Sequence, residues 1–202
     1  MPAESIETPA AVQVLRSFID AVNGFLLDVW RKVLGKTANK SIRLHIRVFQ
    51  TRGRFSVEKT LKNATQLLLS EAGIDVVVVT NDEVNDRPHL ADIQLNNASD
   101  MRAIEARENV SDTKEIVVFV VNSTLPQCSG LSAPHGDPPW AIVTTSQSEW
   151  TLAHEIGHLL GLDDISGTNR LMTGEGTPGI TNPPPDLSST EIIKIQQSSL
   201  LI

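Results

Sequence analysis

Apolar residues recur near a 3.6-residue period between positions 11 and 34, at Leu15, Phe18, Ile19, Val22, Leu26, Val29 and Val33. That spacing predicts one amphipathic helix, closed by Gly35. Residues 42–49, "IRLHIRVF", alternate apolar and polar as a half-buried strand does, with His45 on the polar phase and expected in solvent. A second helix is expected over 56–72, with Leu61, Leu68 and Leu69 inside and Gly73 at its end. The β-branched run "IDVVVVT" at 74–80 reads as a buried strand, "EIVVFVVN" at 115–122 as a central strand, and "WAIVTT" at 140–145 as another. Between them, "ADIQL" at 91–95 has the pattern of a short strand and 99–108 that of a surface helix. Prolines and glycines make 123–139 a long loop with a short extended piece at "GLSA".

A third helix is expected to start at Ser146, which has Glu149 three residues on and so forms a capping box. A Gly/Pro/Thr-rich stretch follows at 166–185, then a last helix at 188–198 with a second capping box, Ser188 and Glu191. Helices interleaved with strands give an α/β (α+β) layout. The last forty or so residues lack strands and would form a small subdomain.

Composition narrows the classes. The 202 residues suffice for one domain with an appendage, and 40% hydrophobic residues support a packed core. A net charge of −7 makes nucleic acid a poor partner, since phosphate binding needs a basic face. No apolar run reaches the length of a membrane span. Cys128 is the only cysteine, so no internal disulfide framework exists. "MPAESIETPA" carries no basic region followed by an apolar one, so no signal peptide is expected. The location at face value is cytoplasmic, or extracellular for a processed form.

The chemistry concentrates in "HEIGHLLGLDD", His154 to Asp164. His154 and His158 are four apart, so on a helix their imidazoles lie one above the other and reach one metal ion. Glu155, one residue along, points beside the metal, where it can take a proton from a water. A catalytic zinc usually takes three protein ligands. Gly161 can adopt a positive φ and turn the chain sharply, bringing Asp164 back toward the ion. Asp163 and, from the proline-rich loop, His135 compete for that third place.

This stretch resembles the elongated zinc motif of the metzincin metallopeptidases, HExxHxxGxxH, with aspartate in the last position as in the snapalysin-like group. "NRLMTG" is similar to the methionine turn of that superfamily and supplies Met172, and "LSSTEIIKIQ" is similar to the last helix of its matrixin branch. The specific match covers residues 149–196. The resemblance implies a mixed twisted sheet with an active-site helix and a backing helix, and one catalytic Zn2+ held by His154, His158 and Asp164. It implies Glu155 as the base and Met172 as a floor beneath the imidazoles. A peptide or protein substrate would lie along an exposed sheet edge, here Gly130, Leu131 and Ser132, with Pro178, Gly179 and Ile180 lining a pocket. The chain would divide into an N-terminal helical segment, 1–40, and a zinc metallopeptidase domain, 41–202, with an upper subdomain 41–161 and a lower one 162–202. Three departures bear on this: there is no tyrosine to bind zinc, Cys128 lies mid-domain rather than in a leading segment, and no acidic loop reads as a calcium site.

Rival readings place Glu175 or Glu191 as third ligand, or make the chain a metal-stabilised module that binds peptides or a partner. The helix at 11–34 packs on its own domain, contacts a partner, or keeps a latent zymogen silent until it is removed.

Overall fold

In this computed structural model the described residues are 40–49, 57–84, 88–105, 110, 112–145, 148–174, 176–180 and 184–202. The helix expected over 11–34 lies outside them. The strands are β1 (Lys40–Phe49), β2 (Ile74–Val84), β3 (Asp92–Gln94), β4 (Ile116–Val121), β5 (Ser123–Leu125), β6 (Gly130–Ala133) and β7 (Trp140–Thr144). The α-helices are α1 (Val57–Leu67), α2 (Ala98–Glu105), α3 (Thr151–Leu159) and α4 (Ser189–Gln196).

Five strands form one sheet in the order β2-β1-β4-β7-β6. All neighbours run parallel except β6, which is antiparallel to β7 and pairs Gly130 with Val143 and Ala133 with Trp140. β3 and β5 make a small parallel pair beside it. The fold is thus the mixed α/β arrangement expected.

Alternation on β1 sorts the two faces. Ile42, Leu44 and Ile46 point to one side, where Val118, Val120 and Val143 join them under Ala64 and Leu67 of α1 and Leu152, Ala153, Ile156 and Leu159 of α3. Phe49 points to the other side, with Val117, Phe119, Val121, Trp140 and Ile142 beneath Leu90, Ile93 and Ile104. Every residue of β4 is buried, which is why "IVVFVV" shows no polar phase. α1 continues into a π-helical turn, Leu68–Ala72, and Gly73 ends it at φ 68°.

Three local expectations differ. β2 is an outer strand of the sheet, with Val77 and Val79 exposed, because its valines face a helix on one side only. His45 is 7% exposed rather than solvated. Its Nε2–H donates to Glu115 Oε2 at 2.7 Å, and its Nδ1 faces Thr80 Oγ1 at 3.1 Å. Arg43 Nε donates to Glu115 Oε1 at 2.5 Å, and Arg47 donates to Thr80 Oγ1 and Asp82 Oδ2. The polar phase of β1 is therefore covered by its own partners, which a single strand's pattern cannot show. Finally, α3 begins at Thr151, with Trp150 at its N-cap and no side-chain cap. Ser146 lies outside the described residues, and Glu149 pairs with Lys59 of α1 instead. The second capping box forms as expected, with Ser188 Oγ accepting from the Glu191 N–H and Glu191 Oε2 accepting from the Ser188 N–H.

Candidate metal centre

α3 is nine residues long and all but one of them are buried, so its polar side chains sit where only partners can justify them. Its end is set by Gly161 at φ 99°. The Gly161 N–H donates to the His158 carbonyl and the Leu162 N–H to the Gly157 carbonyl, both at 2.9 Å. This is a Schellman closure, and it requires the left-handed conformation that glycine adopts freely. The turn does two things at once. It brings the Leu162 carbonyl to His158 Nδ1 at 2.9 Å, and it sends Asp164 back across the helix face.

Both imidazoles are fixed in the same sense. His154 Nδ1 lies 2.8 Å from the Leu171 carbonyl and His158 Nδ1 2.9 Å from that of Leu162. A carbonyl only accepts, so each Nδ1 carries the proton and each Nε2 is a bare lone pair in the neutral ring. Those two Nε2 atoms stand 3.1 Å apart, and Asp164 Oδ1 is 3.5 Å from both. Burial pushes the His154 imidazole below its ordinary value, partly opposed by the Leu171 carbonyl, and so favours the neutral ring.

Three acceptors thus converge with no donor among them, an arrangement that a cation relieves. Tetrahedral zinc with bonds of about 2.0–2.1 Å holds its ligand atoms about 3.3 Å apart, and the observed triangle matches that edge. Among the described residues this is the one group of three such side chains.

Of the competing third ligands, Asp163 turns away and accepts from Lys194 Nζ of α4 at 2.7 Å. His135 is exposed in the turn after β6. Glu191 is held by Ser188 and Arg170, and Glu175 lies outside the described residues.

Glu155 is buried against β6. A Cβ built on Gly130 would stand 2.3 Å from Glu155 Oε1, so the acid lies flush on the strand's backbone. Ser132, two residues on, lies on the same face of the strand. Burial raises the Glu155 carboxyl to about 7; His158 and the Ser132 hydroxyl pull it down, and Asp164 pushes it up. A carboxyl in that range exchanges a proton readily near neutrality.

Met172 is fully buried in a turn closed by the Thr173 N–H on the Arg170 carbonyl. Its sulfur fills the space beside Gly157, where a Cβ would come within 2.4 Å of Sδ. The same turn presents the Leu171 carbonyl to His154 and pairs the Met172 carbonyl with the Ile165 N–H, next to Asp164. Thr177–Gly179 forms a 3-10 turn with Pro178 exposed and Ile180 half-buried behind it. Thr177 is tied to Thr151, one helical turn before Glu155, by a buried hydroxyl–hydroxyl bond of 2.8 Å.

Gly130, expected on the substrate edge, also lies directly against Glu155. Sequence reasoning missed the Leu162 and Leu171 carbonyls altogether, because backbone groups leave no mark in residue identity.

No protein-family model matches the chain and no curated protein matches it in sequence. Solved structures do share its fold. Metalloproteinase-II from Bacteroides fragilis superposes with a TM-score of 0.54 at 19% identity, over 79% of this chain and 53% of that one. An archaemetzincin from Methanopyrus kandleri superposes with a TM-score of 0.55 at 13% identity, over 77% and 94%. The chain spans about half the length of the Bacteroides protein. No described helix is long and apolar enough to cross a membrane.

Proposed function

We propose that the chain is a zinc-dependent endopeptidase. The observation that carries this reading is the donor-free triangle of His154 Nε2, His158 Nε2 and Asp164 Oδ1, with both Nδ1 atoms committed to backbone carbonyls. These three side chains would hold one zinc ion. When bound, the ion supplies a Lewis acid that polarises a peptide carbonyl and acidifies a water. Glu155 takes a proton from that water and delivers it to the leaving amine. The extended substrate pairs with the outer edge of β6, a common mode of peptide capture, so the backbone of Gly130, Leu131 and Ser132 orients it. Pro178, Gly179 and Ile180 line the neighbouring pocket, held to α3 through Thr177 and Thr151.

The finer placement among the metzincins, matrixin-like with the snapalysin-type aspartate, rests on three supports. They are Asp164 in the last motif position, the buried Met172 turn that presents the Leu171 carbonyl to His154, and a fold shared with an archaemetzincin. Residues 41–202 form the catalytic domain on this reading, divided near Gly161 into upper and lower parts.

Casein hydrolysis and zinc content test the proposal together. Cleavage that a chelator abolishes, zinc restores and Glu155→Ala eliminates is the expected result. Cleavage by Glu155→Ala at the wild-type rate would refute it. Stoichiometric zinc without hydrolysis of any peptide would favour a metal-stabilised binding module.

A further inference from the structure

On the reading that His154 is a metal ligand, we infer that Arg170 is a positioning residue for the metal centre: held by Glu191 at the cap of α4, it fixes the turn whose Leu171 carbonyl orients the His154 imidazole. The two imidazoles are oriented by segments of different origin. His158 takes its carbonyl from Leu162, four residues on, in the closure of its own helix. His154 takes its carbonyl from Leu171, seventeen residues on, in a separate segment. α3 can therefore place the first contact by itself but not the second, and the turn at Leu171 has to be held from elsewhere.

Arg170, the residue before Leu171, makes that tie. Its Nη2 donates to Glu191 Oε2, and its Nε donates to the Asp186 carbonyl at 3.3 Å. The backbone follows the same path: the Leu171 N–H donates to the Asp186 carbonyl at 3.3 Å, beside an isolated parallel bridge between Arg170 and Asp186. One planar guanidinium thus joins the segment leading into α4 to the capping box that begins it, a fork that a lysine ammonium does not offer. Glu191 Oε2 is itself fixed, because it accepts from the Ser188 N–H and from the Ser188 hydroxyl, each at 2.6 Å. The carboxylate end of the pair is only 12% exposed, so it is screened less than an ordinary surface pair. The cap of α4 therefore has a second job. A ligand imidazole whose Nδ1–H loses its partner also loses its fixed tautomer and ring orientation, and with them metal affinity. Loss of Arg170 should reach His154 and spare His158.

Three variants separate this role from a merely structural one: Arg170→Gln, Glu191→Gln and Ser188→Ala. The readouts are zinc affinity, measured against a chromophoric chelator, and the two imidazole Nδ1–H signals in proton NMR spectra of the metal-free protein, assigned with His158→Gln. Arg170→Gln should weaken zinc binding about tenfold, the lower range for losing a partner outside the ligand shell. Its His154 signal should shift and exchange faster with solvent, while that of His158 stays. Glu191→Gln keeps the capping box, which glutamine can also close, but removes the charge that holds Arg170. It should move the same signal in the same direction, and it carries the test alone should Arg170→Gln fail to fold. Ser188→Ala weakens the cap of α4 and leaves the Arg170–Glu191 pair in place. It should lower the urea unfolding midpoint without changing zinc affinity or either signal. Unchanged zinc affinity in Arg170→Gln, an unmoved His154 signal in either glutamine variant, equal movement of both imidazole signals, or a loss in Ser188→Ala as large as in Arg170→Gln would each overturn the assignment. Wild-type protein that binds no zinc would instead overturn the reading of the metal centre, and the His154 signal of the metal-free protein would still test the clamp.

Discussion

His154 and His158 face each other through their Nε2 atoms across 3.1 Å, while each spends its Nδ1 proton on a backbone carbonyl. Neither ring can satisfy the other, because both present lone pairs. The carboxylate of Asp164, 58% exposed, adds a third acceptor from the solvent side. The helix carries both imidazoles, the Schellman turn sends Asp164 back to them, and the turn at Met172 presents the Leu171 carbonyl that fixes His154.

The two adjacent aspartates should behave oppositely. With Asp164 as the proposed third ligand, Asp164→Ala should weaken zinc binding by at least about 100-fold, the upper range for losing even an outer-shell partner. Asp163→Ala removes only an exposed pair with Lys194 and should leave affinity unchanged. Competition against a chromophoric chelator measures both, and equal effects would contradict the assignment of the third ligand.

Gly157 sets two effects against each other. Alanine in a helix gains about 1 kcal/mol over glycine, but a Cβ here meets the Met172 sulfur at 2.4 Å, and overpacking costs about 1–3 kcal/mol. Met172 is fully buried and its sulfur already fills the space beside Gly157, so the clash should win and Gly157→Ala should be destabilised in urea unfolding. Met172→Ala should lose about 2–5 kcal/mol, as buried methionine truncations do. A stabilised Gly157→Ala would show that the sulfur moves aside freely.

Stability should carry an acid-side dependence from Glu115. Its carboxyl is held below the ordinary value of 4.5, chiefly by the hydrogen bond from His45 and also by Arg43. A carboxyl depressed in the folded state favours folding above its unfolded value, and that contribution is lost as pH falls through the folded one. Chemical unfolding of wild type and Glu115→Gln should therefore differ most above pH 4.5 and converge below it. A gap that stays constant into the acid range would contradict this role. His45→Ala should also cost stability at neutral pH, since it strips a buried partner from Glu115 and Thr80.

The parts legible in the sequence were those written in side-chain type and spacing. The four-residue separation of His154 and His158, the glycine at 161 and the Ser188–Glu191 box each have one local geometric meaning, and the structure shows each geometry. The all-apolar run of β4 likewise announced a central strand. What stayed hidden depended on partners distant in sequence. His45 reads as solvated because its partners, Glu115 just before β4 and Thr80 of β2, are distant in sequence. β2 read as buried because valine content reports β preference and not position in a sheet. The start of α3 was misjudged because Glu149, a plausible capping partner, is engaged by Lys59 of a neighbouring helix.

Glu155→Gln separates chemistry from metal binding. The side chain keeps its size but can no longer accept the proton, so hydrolysis should fall by about 10²–10⁴-fold while zinc is retained. Loss of zinc along with activity would mean that Glu155 serves the metal site rather than the reaction.

The central claim is that two imidazoles and one carboxylate of this chain grip a single zinc ion. Metal analysis with zinc X-ray absorption on the purified, zinc-replete protein, repeated on His154→Ala, His158→Ala and Asp164→Ala, tests it most directly. The account predicts one zinc per chain in a nitrogen- and oxygen-only shell with two histidine ligands in wild type, and substoichiometric metal in each variant. Wild-type protein that fails to retain stoichiometric zinc, or a shell unaltered in any one of the three variants, would contradict it.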